Sequence, residues 1–222
     1  MRTASSKPRS PAPDPSGQDR STRNLVLVVD IPDSPPVVAN PPPTVRVGRR
    51  SLVVLAGLPG AGKSTALGKL RADASISALD SEQVRARLRE VLPDRLPYRY
   101  YRPVVHLAHR TRIVWFCLTA PGPVVAHEPA TRATTRALLV VFGWLSGRQR
   151  VLVWLHADPR DALAGQQQRG RLIRRTSFQR HVQRADRMHR RLRGGAVPRG
   201  WQRVHLLTRD DVAPGLRLDV RA

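Results

Sequence analysis

The feature that most constrains this chain is a nine-residue stretch, Gly57, Leu58, Pro59, Gly60, Ala61, Gly62, Lys63, Ser64 and Thr65, directly after the apolar run SLVVLA at 51–56. It fits the pattern G-x-x-x-x-G-K-[ST], the Walker A signature, in the strand-to-helix context that gives the pattern its meaning. Glycines at 57, 60 and 62 allow backbone conformations closed to residues with a side chain, so successive N–H groups turn inward around a phosphate chain. A helix starting near Lys63 would aim further N–H groups and its positive end at the same anion. The pattern assigns Lys63 to the outer phosphates as a point charge, the Ser64 hydroxyl to Mg²⁺, and Thr65 to a cap or to the inner phosphates. The expected ligand is a nucleoside triphosphate.

At 222 residues the chain is long enough for one domain with a real core. Its formal charge of +23 invites a nucleic-acid reading, but Lys7, Lys63 and Lys69 are the only lysines among 39 basic residues. Such a skew toward arginine, beside abundant Ala, Val, Pro and Gly, points to codon bias rather than selection for phosphate contacts. Arginine still binds phosphate, so nonspecific adhesion to polyanions that fades with salt is expected. The single Cys117 rules out an internal disulfide and a cysteine zinc cluster, and its apolar surroundings predict a buried thiol. The first apolar run, at 25–31, starts late and contains Asp30, unlike a secretory signal, and the other runs are too short to span a bilayer. A cytoplasmic protein is expected.

Residues 1–47 are rich in Pro, Ser and Arg and are expected to be disordered, with the run NLVLVVDI at 24–31 as the exception. Apolar runs predict strands at 51–56, 76–79, 123–126, 150–156 and 203–207. Helices are expected at 62–71, 81–91, from Pro103 onward, at 131–145, from Asp158-Pro159 onward, and at 176–192. In the helix after Pro103, Val104, Leu107, Ala108, Thr111, Val114, Trp115 and Leu118 recur at helical spacing and are expected to face the core. Residues 210–222 read as a loose tail, with 216–220 able to alternate as an edge strand. Strands alternating with helices predict a parallel sheet with right-handed crossovers, whose ligands lie beyond the strands' carboxyl ends. Gly57, Asp80, Glu128 and the turn at 156–158 should therefore open onto one edge.

Asp80 is placed there to take a proton from an acceptor hydroxyl or to hold a metal-bound water, and as an ordinary helix cap it would pair with Gln83. Glu128 follows its strand as a metal-shell carboxylate would, with an ordinary loop carboxylate as the plain alternative. Arg85 would either grip an acidic acceptor or line a solvated helix face. Arg132 and Arg136 fall on the next helix near the same edge. Arg169, Arg171, Arg174 and Arg175 lie between two helices, where a closing lid would bring guanidinium groups onto transferring phosphate. Arg169 and Arg174 are the preferred pair. Tyr98, Tyr100 and Tyr101 would line a pocket or pack on the helix they precede.

The sequence GLPGAGKST, Asp80-Ser81 after the second strand, and a basic segment after Asp158-Pro159 resemble the P-loop kinase branch of zeta toxins, chloramphenicol phosphotransferase and polynucleotide kinases. Chains of this type, here with an actinobacterial cast, are often labelled AAA family ATPases. The resemblance covers residues 50–208 and implies a P-loop NTPase fold, a three-layer α/β/α sandwich with a mainly parallel five-stranded sheet. It implies ATP and Mg²⁺ as cofactors, Lys63 on the phosphates, Ser64 on the metal, Asp80 as base, and Arg169 with Arg174 as lid arginines. The domain would run over 48–209. His127, Glu128, Pro129, Ala130, Thr131 and Arg132 depart from the branch's acceptor-binding sequences, which leaves the acceptor unassigned. Two other readings stand beside a small-molecule or nucleotide kinase. One is a regulatory ATPase whose nucleotide state controls a partner, and the other is a polynucleotide kinase or nucleic-acid-binding module.

Overall fold

The computed structural model describes residues 41–93, 95–168 and 174–221. Expectations about residues 1–40, with the run at 24–31, and about Arg169 and Arg171 lie outside the described residues. Five strands form the main sheet: β2 (Ser51–Gly57), β4 (Ser77–Asp80), β5 (Val124–His127), β6 (Gln149–His156) and β7 (Arg203–Thr208). Their order is β4-β5-β2-β6-β7 and every pairing is parallel. All seven residues of β2 are buried, as a central strand covered on both faces requires, and this explains its unbroken apolar sequence. The result is the expected three-layer α/β/α arrangement, with helices on the two faces of a five-stranded parallel sheet.

The helices are α1 (Lys63–Gly68), α2 (Ser81–Val91), α3 (Tyr98–Thr119), α4 (Ala133–Leu145), α5 (Pro159–Gln167) and α6 (Arg175–Arg193). Two start as the sequence dictates. The Asp80 carboxylate accepts from Glu82 N while Gln83 reaches back to Asp80 N, a complete capping box. Asp158 accepts from Arg160 N at 2.7 Å, with Pro159 in the first turn.

A second sheet, β1 (Thr44–Gly48), β8 (Leu216–Arg221) and β3 (Leu70–Ala72), is also parallel, with β8 in the middle. It corrects three expectations. The disorder expected over 1–47 does not reach 44–47, and residues 216–221 form a strand, as their alternation allowed, but a central one rather than an edge strand or a loose tail. The first helix ends at Gly68, not at Arg71, because residues 70–72 pair with β8. Val45, Val47, Leu216 and Leu218 are buried while the intervening arginines are exposed, so one face of this small sheet seals the core.

Helix α3 also departs from its expected phase. It starts at Tyr98 with Pro103 inside its sixth position, and it buries Tyr101, Val105, His109, Ile113 and Cys117. The expected core residues Val104, Leu107, Trp115 and Leu118 are exposed, Trp115 at 63%. The buried stripe runs at a spacing of four and includes a histidine, which an apolar count passes over. Tyr101, Val105 and Val84 form a small core of their own between α2 and α3. At 22 residues, α3 is about 33 Å long. His109 meets Glu128, the residue just past β5, so residues 98–108 make up the part of α3 that precedes this contact.

At the opposite edge the guanidinium of Arg148, only 1% exposed, donates to the carbonyls of Phe116, Cys117, Ala120, Gly122 and Ser51. These bonds tie the end of α3 to the start of β2 without a carboxylate. Cys117, beside it, is buried as expected, and burial pushes its thiol up to about 11.

Candidate functional site

The loop between β2 and α1 has the backbone its glycines predict. Gly57, Gly60 and Gly62 have φ of 137°, 95° and 91°, in the left-handed region that favours glycine. At Gly60 a side chain is doubly excluded, because a Cβ there would sit 1.9 Å from the carbonyl oxygen of Ala162. Helix α5 thus presses directly on the loop. A Cβ on its Gly165 would sit 2.8 Å from Gly60 O, and Gln166 Nε2 donates to Pro59 O at 3.0 Å. These α5 contacts were not anticipated; the small pair Ala162 and Gly165, three residues apart, was the available signal. On the other side Gly57 N donates to Pro129 O at 3.0 Å.

Within the loop, Leu58 and Ala61 are buried and Gly62 precedes α1 without a side-chain cap. Lys63 is 3% exposed, and its Nζ donates to Leu58 O at 2.6 Å and Gly57 O at 3.1 Å. Ser64 is half-buried and Thr65 exposed at the start of α1.

Parallel register sets the carboxylates beside this loop. His127 pairs with Leu55 on one side and with Asp80 on the other, two residues short of the level of Gly57. His127 Nδ1 lies 2.8 Å from Asp80 Oδ2, while Asp80 Oδ1 accepts from Glu82 N at 3.0 Å. Burial alone would raise the Asp80 carboxyl, but the His127 bond and charge and the Glu82 amide overcome it and hold it at about 2. Asp80 is therefore both helix cap and ionised group at the edge. His127, from the stretch that departs from the branch's sequences, is the residue that fixes it.

Glu128 is 5% exposed, 3.7 Å from Arg110 and 3.8 Å from His109 on α3. Burial raises its carboxyl, while Arg110 and then Lys63 oppose that rise. Burial likewise lowers His109 to about 4, so its ring is neutral at pH 7 and Arg110 is the ionic partner.

The remaining candidates divide. Arg174 is the exposed N-cap residue of α6, and no described contact joins it to the loop. Arg136 donates to Ala130 O and Thr131 O and so braces the turn after β5. Arg85 stacks over Tyr98 at 4.3 Å and pairs with Glu82 at 3.7 Å. Tyr98 and Tyr101 pack edge to face at 5.2 Å, which places these aromatics in packing. Among the described residues no group of three or more His, Cys, Asp or Glu could hold a metal. A Mg²⁺ shared with phosphates needs only one or two protein oxygens, so the lack of such a cluster does not bear on it.

A glycine loop closed by a buried lysine, at the carboxyl edge of a parallel sheet with a second-strand aspartate, defines a kinase-like P-loop domain. The chain belongs to the AAA domain family (AAA_33), which it matches over residues 52–194. No curated protein sequence matches it. Among solved structures it is similar to one from the PezAT chromosomal toxin–antitoxin system of Streptococcus pneumoniae. That likeness has a TM-score of 0.50 and 12% identity, covering 78% of this chain and 72% of that one. It is also similar to the Deinococcus radiodurans tunicamycin resistance protein, at TM-score 0.47 and 14% identity over 70% and 85% of the chains. A gluconokinase from Sinorhizobium meliloti 1021 has a TM-score of 0.42 and 16% identity, over 75% and 92%. At such identities the first likeness supports the fold alone, and the other two add no weight. No helix among the described residues is long and apolar enough to cross a membrane.

Proposed function

We propose that this protein is a phosphotransferase that moves the γ-phosphate of ATP to a hydroxyl of a small-molecule or nucleotide-like acceptor. The observation that supports this best is the register of β4 and β5, which brings the Asp80–His127 pair to the same sheet edge as Lys63 and its glycine loop. Loop N–H groups and Lys63 would bind the phosphates, with Lys63 leaving the loop carbonyls for them. Ser64 and Glu128 would hold Mg²⁺, which when bound neutralises phosphate charge. Asp80 would accept the acceptor's hydroxyl hydrogen while that oxygen bonds to phosphorus and the bond to the ADP oxygen breaks. A carboxylate held at about 2 is a weak base. Its larger part is orientation, which is what a loose phosphoryl transition state requires. Arg169 and Arg174 are proposed to close over the phosphates.

The test is ³¹P NMR of the full chain with MgATP and a pooled metabolite extract, beside Lys63→Ala and Asp80→Asn. A new phosphomonoester signal, lost in both variants while Asp80→Asn still binds ATP, is the expected result. Release of inorganic phosphate alone, also lost in Lys63→Ala, would replace this reading with a regulatory ATPase.

A further inference from the structure

Beyond the P-loop, α3 and α6 both meet the turn after β5, and each brings cations to it. On α3, Arg102, His106 and Arg110 recur at four-residue spacing along one side of the helix. Arg102 Nε donates to His106 Nε2 at 3.3 Å, which requires a neutral imidazole. Arg110 reaches Glu128 at that turn at 3.7 Å, and Thr131 Oγ1, three residues on, lies 2.8 Å from His181 Nδ1, which seats α6 there too. Arg184 follows His181 by three residues on the same face of α6, and Arg132 follows Thr131 at the N-cap of α4. Burial first, and then the charges of Arg184, Arg132, Arg102 and Lys63, hold the His181 ring down at about 4. One half-buried ring thus feels cations from α6, the α4 N-cap, α3 and α1.

Among the described residues no carboxylate lies within 4.0 Å of Arg102, Arg132 or Arg184. The two nearby carboxylates, Asp80 and Glu128, are buried and already paired with His127 and Arg110. Elsewhere on the protein Arg46 and Arg221 do find such a partner in Asp219. Like charges converging on one point oppose folding unless an anion joins them.

We propose that the cleft between α3 and α6 binds an oxyanion group of the acceptor, a phosphate, sulfate or carboxylate separate from the phosphates on the loop. The inference rests on the phosphotransfer reading above and narrows its acceptor to an acidic hydroxyl compound. Arg102 and Arg184 would grip that group from opposite walls, with Arg132 between them, and the hydroxyl would then lie toward Asp80.

Calorimetric titration of inorganic phosphate into the full chain tests this, at physiological salt of about 0.15 M. The protein is first saturated with the non-hydrolysable ATP analogue AMPPNP, so that the loop's own phosphate positions are filled. One phosphate is expected to bind, and Arg102→Gln with Arg184→Gln should weaken it by about tenfold or more. Arg71→Gln with Arg217→Gln removes the same charge from the small sheet and should leave binding unchanged. Should the first pair prove unstable, Arg102→Gln alone, at an exposed position, should show a smaller loss in the same direction. Equal weakening by both pairs, or no phosphate bound to the parent protein, overturns the proposal. If AMPPNP itself does not bind, the nucleotide reading fails instead, and titration of the same variants without it decides the cleft.

Discussion

Lys63 and Arg148 are both buried cations that donate to backbone carbonyls, at opposite edges of the same sheet. Around Arg148 the partners are five carbonyls, a set matched to a planar fork that can never give up its charge. Around Lys63 lie a glycine loop, a glutamate raised by burial and, at the same sheet edge, an aspartate held at about 2 by a histidine. Burial of a charge therefore does not distinguish work from structure. What distinguishes them is whether the neighbours can change protonation or partner.

The sharpest way to separate these regions is to remove each cation. Lys63→Ala should lower phosphotransfer by about three orders of magnitude or more, measured in a coupled assay. Its urea midpoint should move far less than that of Arg148→Met. The latter takes the guanidinium donors away from a cluster of carbonyls at the end of α3 and the start of β2 and should cost about 3 kcal/mol of stability in urea unfolding. Nucleotide affinity of the Arg148→Met protein that remains folded should match the parent. The contrast would collapse if the two variants behaved alike in both measurements.

Acid should sharpen it further. Asp80 titrates at about 2 in the folded chain against an ordinary 3.8, so its folded value is depressed. The stabilisation is present above 3.8 and is lost as pH falls through about 2. It should amount to about 2 kcal/mol and be absent from Asp80→Asn, read from urea midpoints between those pH values. Arg148 should contribute nothing to that slope. The smallest effect concerns glycines at the two edges. Gly147 precedes Arg148 with φ 64° and open space around it, so Gly147→Ala should cost about 1 kcal/mol from backbone strain alone. Gly60→Ala, with Ala162 O in the way, should cost more and also weaken nucleotide binding.

Much of the fold was legible because its signals are local. Apolar runs marked the five strands of the main sheet, and Asp80 with Gln83 or Asp158 with Pro159 marked helix starts. The P-loop is a contiguous spelling. What was missed depends on pairs distant in sequence. Strand β1 alternates valine with arginine and reads as part of the polar segment before the domain, while the alternation of β8 was legible but its place in the middle of a sheet was not, since that depends on β1 and β3. Histidine at 109 shifted the phase of α3, since no apolar count expects a buried ring that answers a glutamate 19 residues on. The Asp80–His127 contact exists only through the register of two strands, and the pressure of α5 on Gly60 only through a crossover. Candidate site residues could thus be named from sequence, but their partners could not.

The small sheet carries a mechanical consequence. Strands β1 and β8 run parallel, with Thr44 opposite Arg217 and Gly48 opposite Arg221. Tension applied at Thr44 and Arg221 therefore pulls on opposite ends of one ladder. Its hydrogen bonds are loaded together in shear and cannot be peeled one at a time. A tug between these two points meets its first resistance here, before any strand of the nucleotide-binding sheet feels the force.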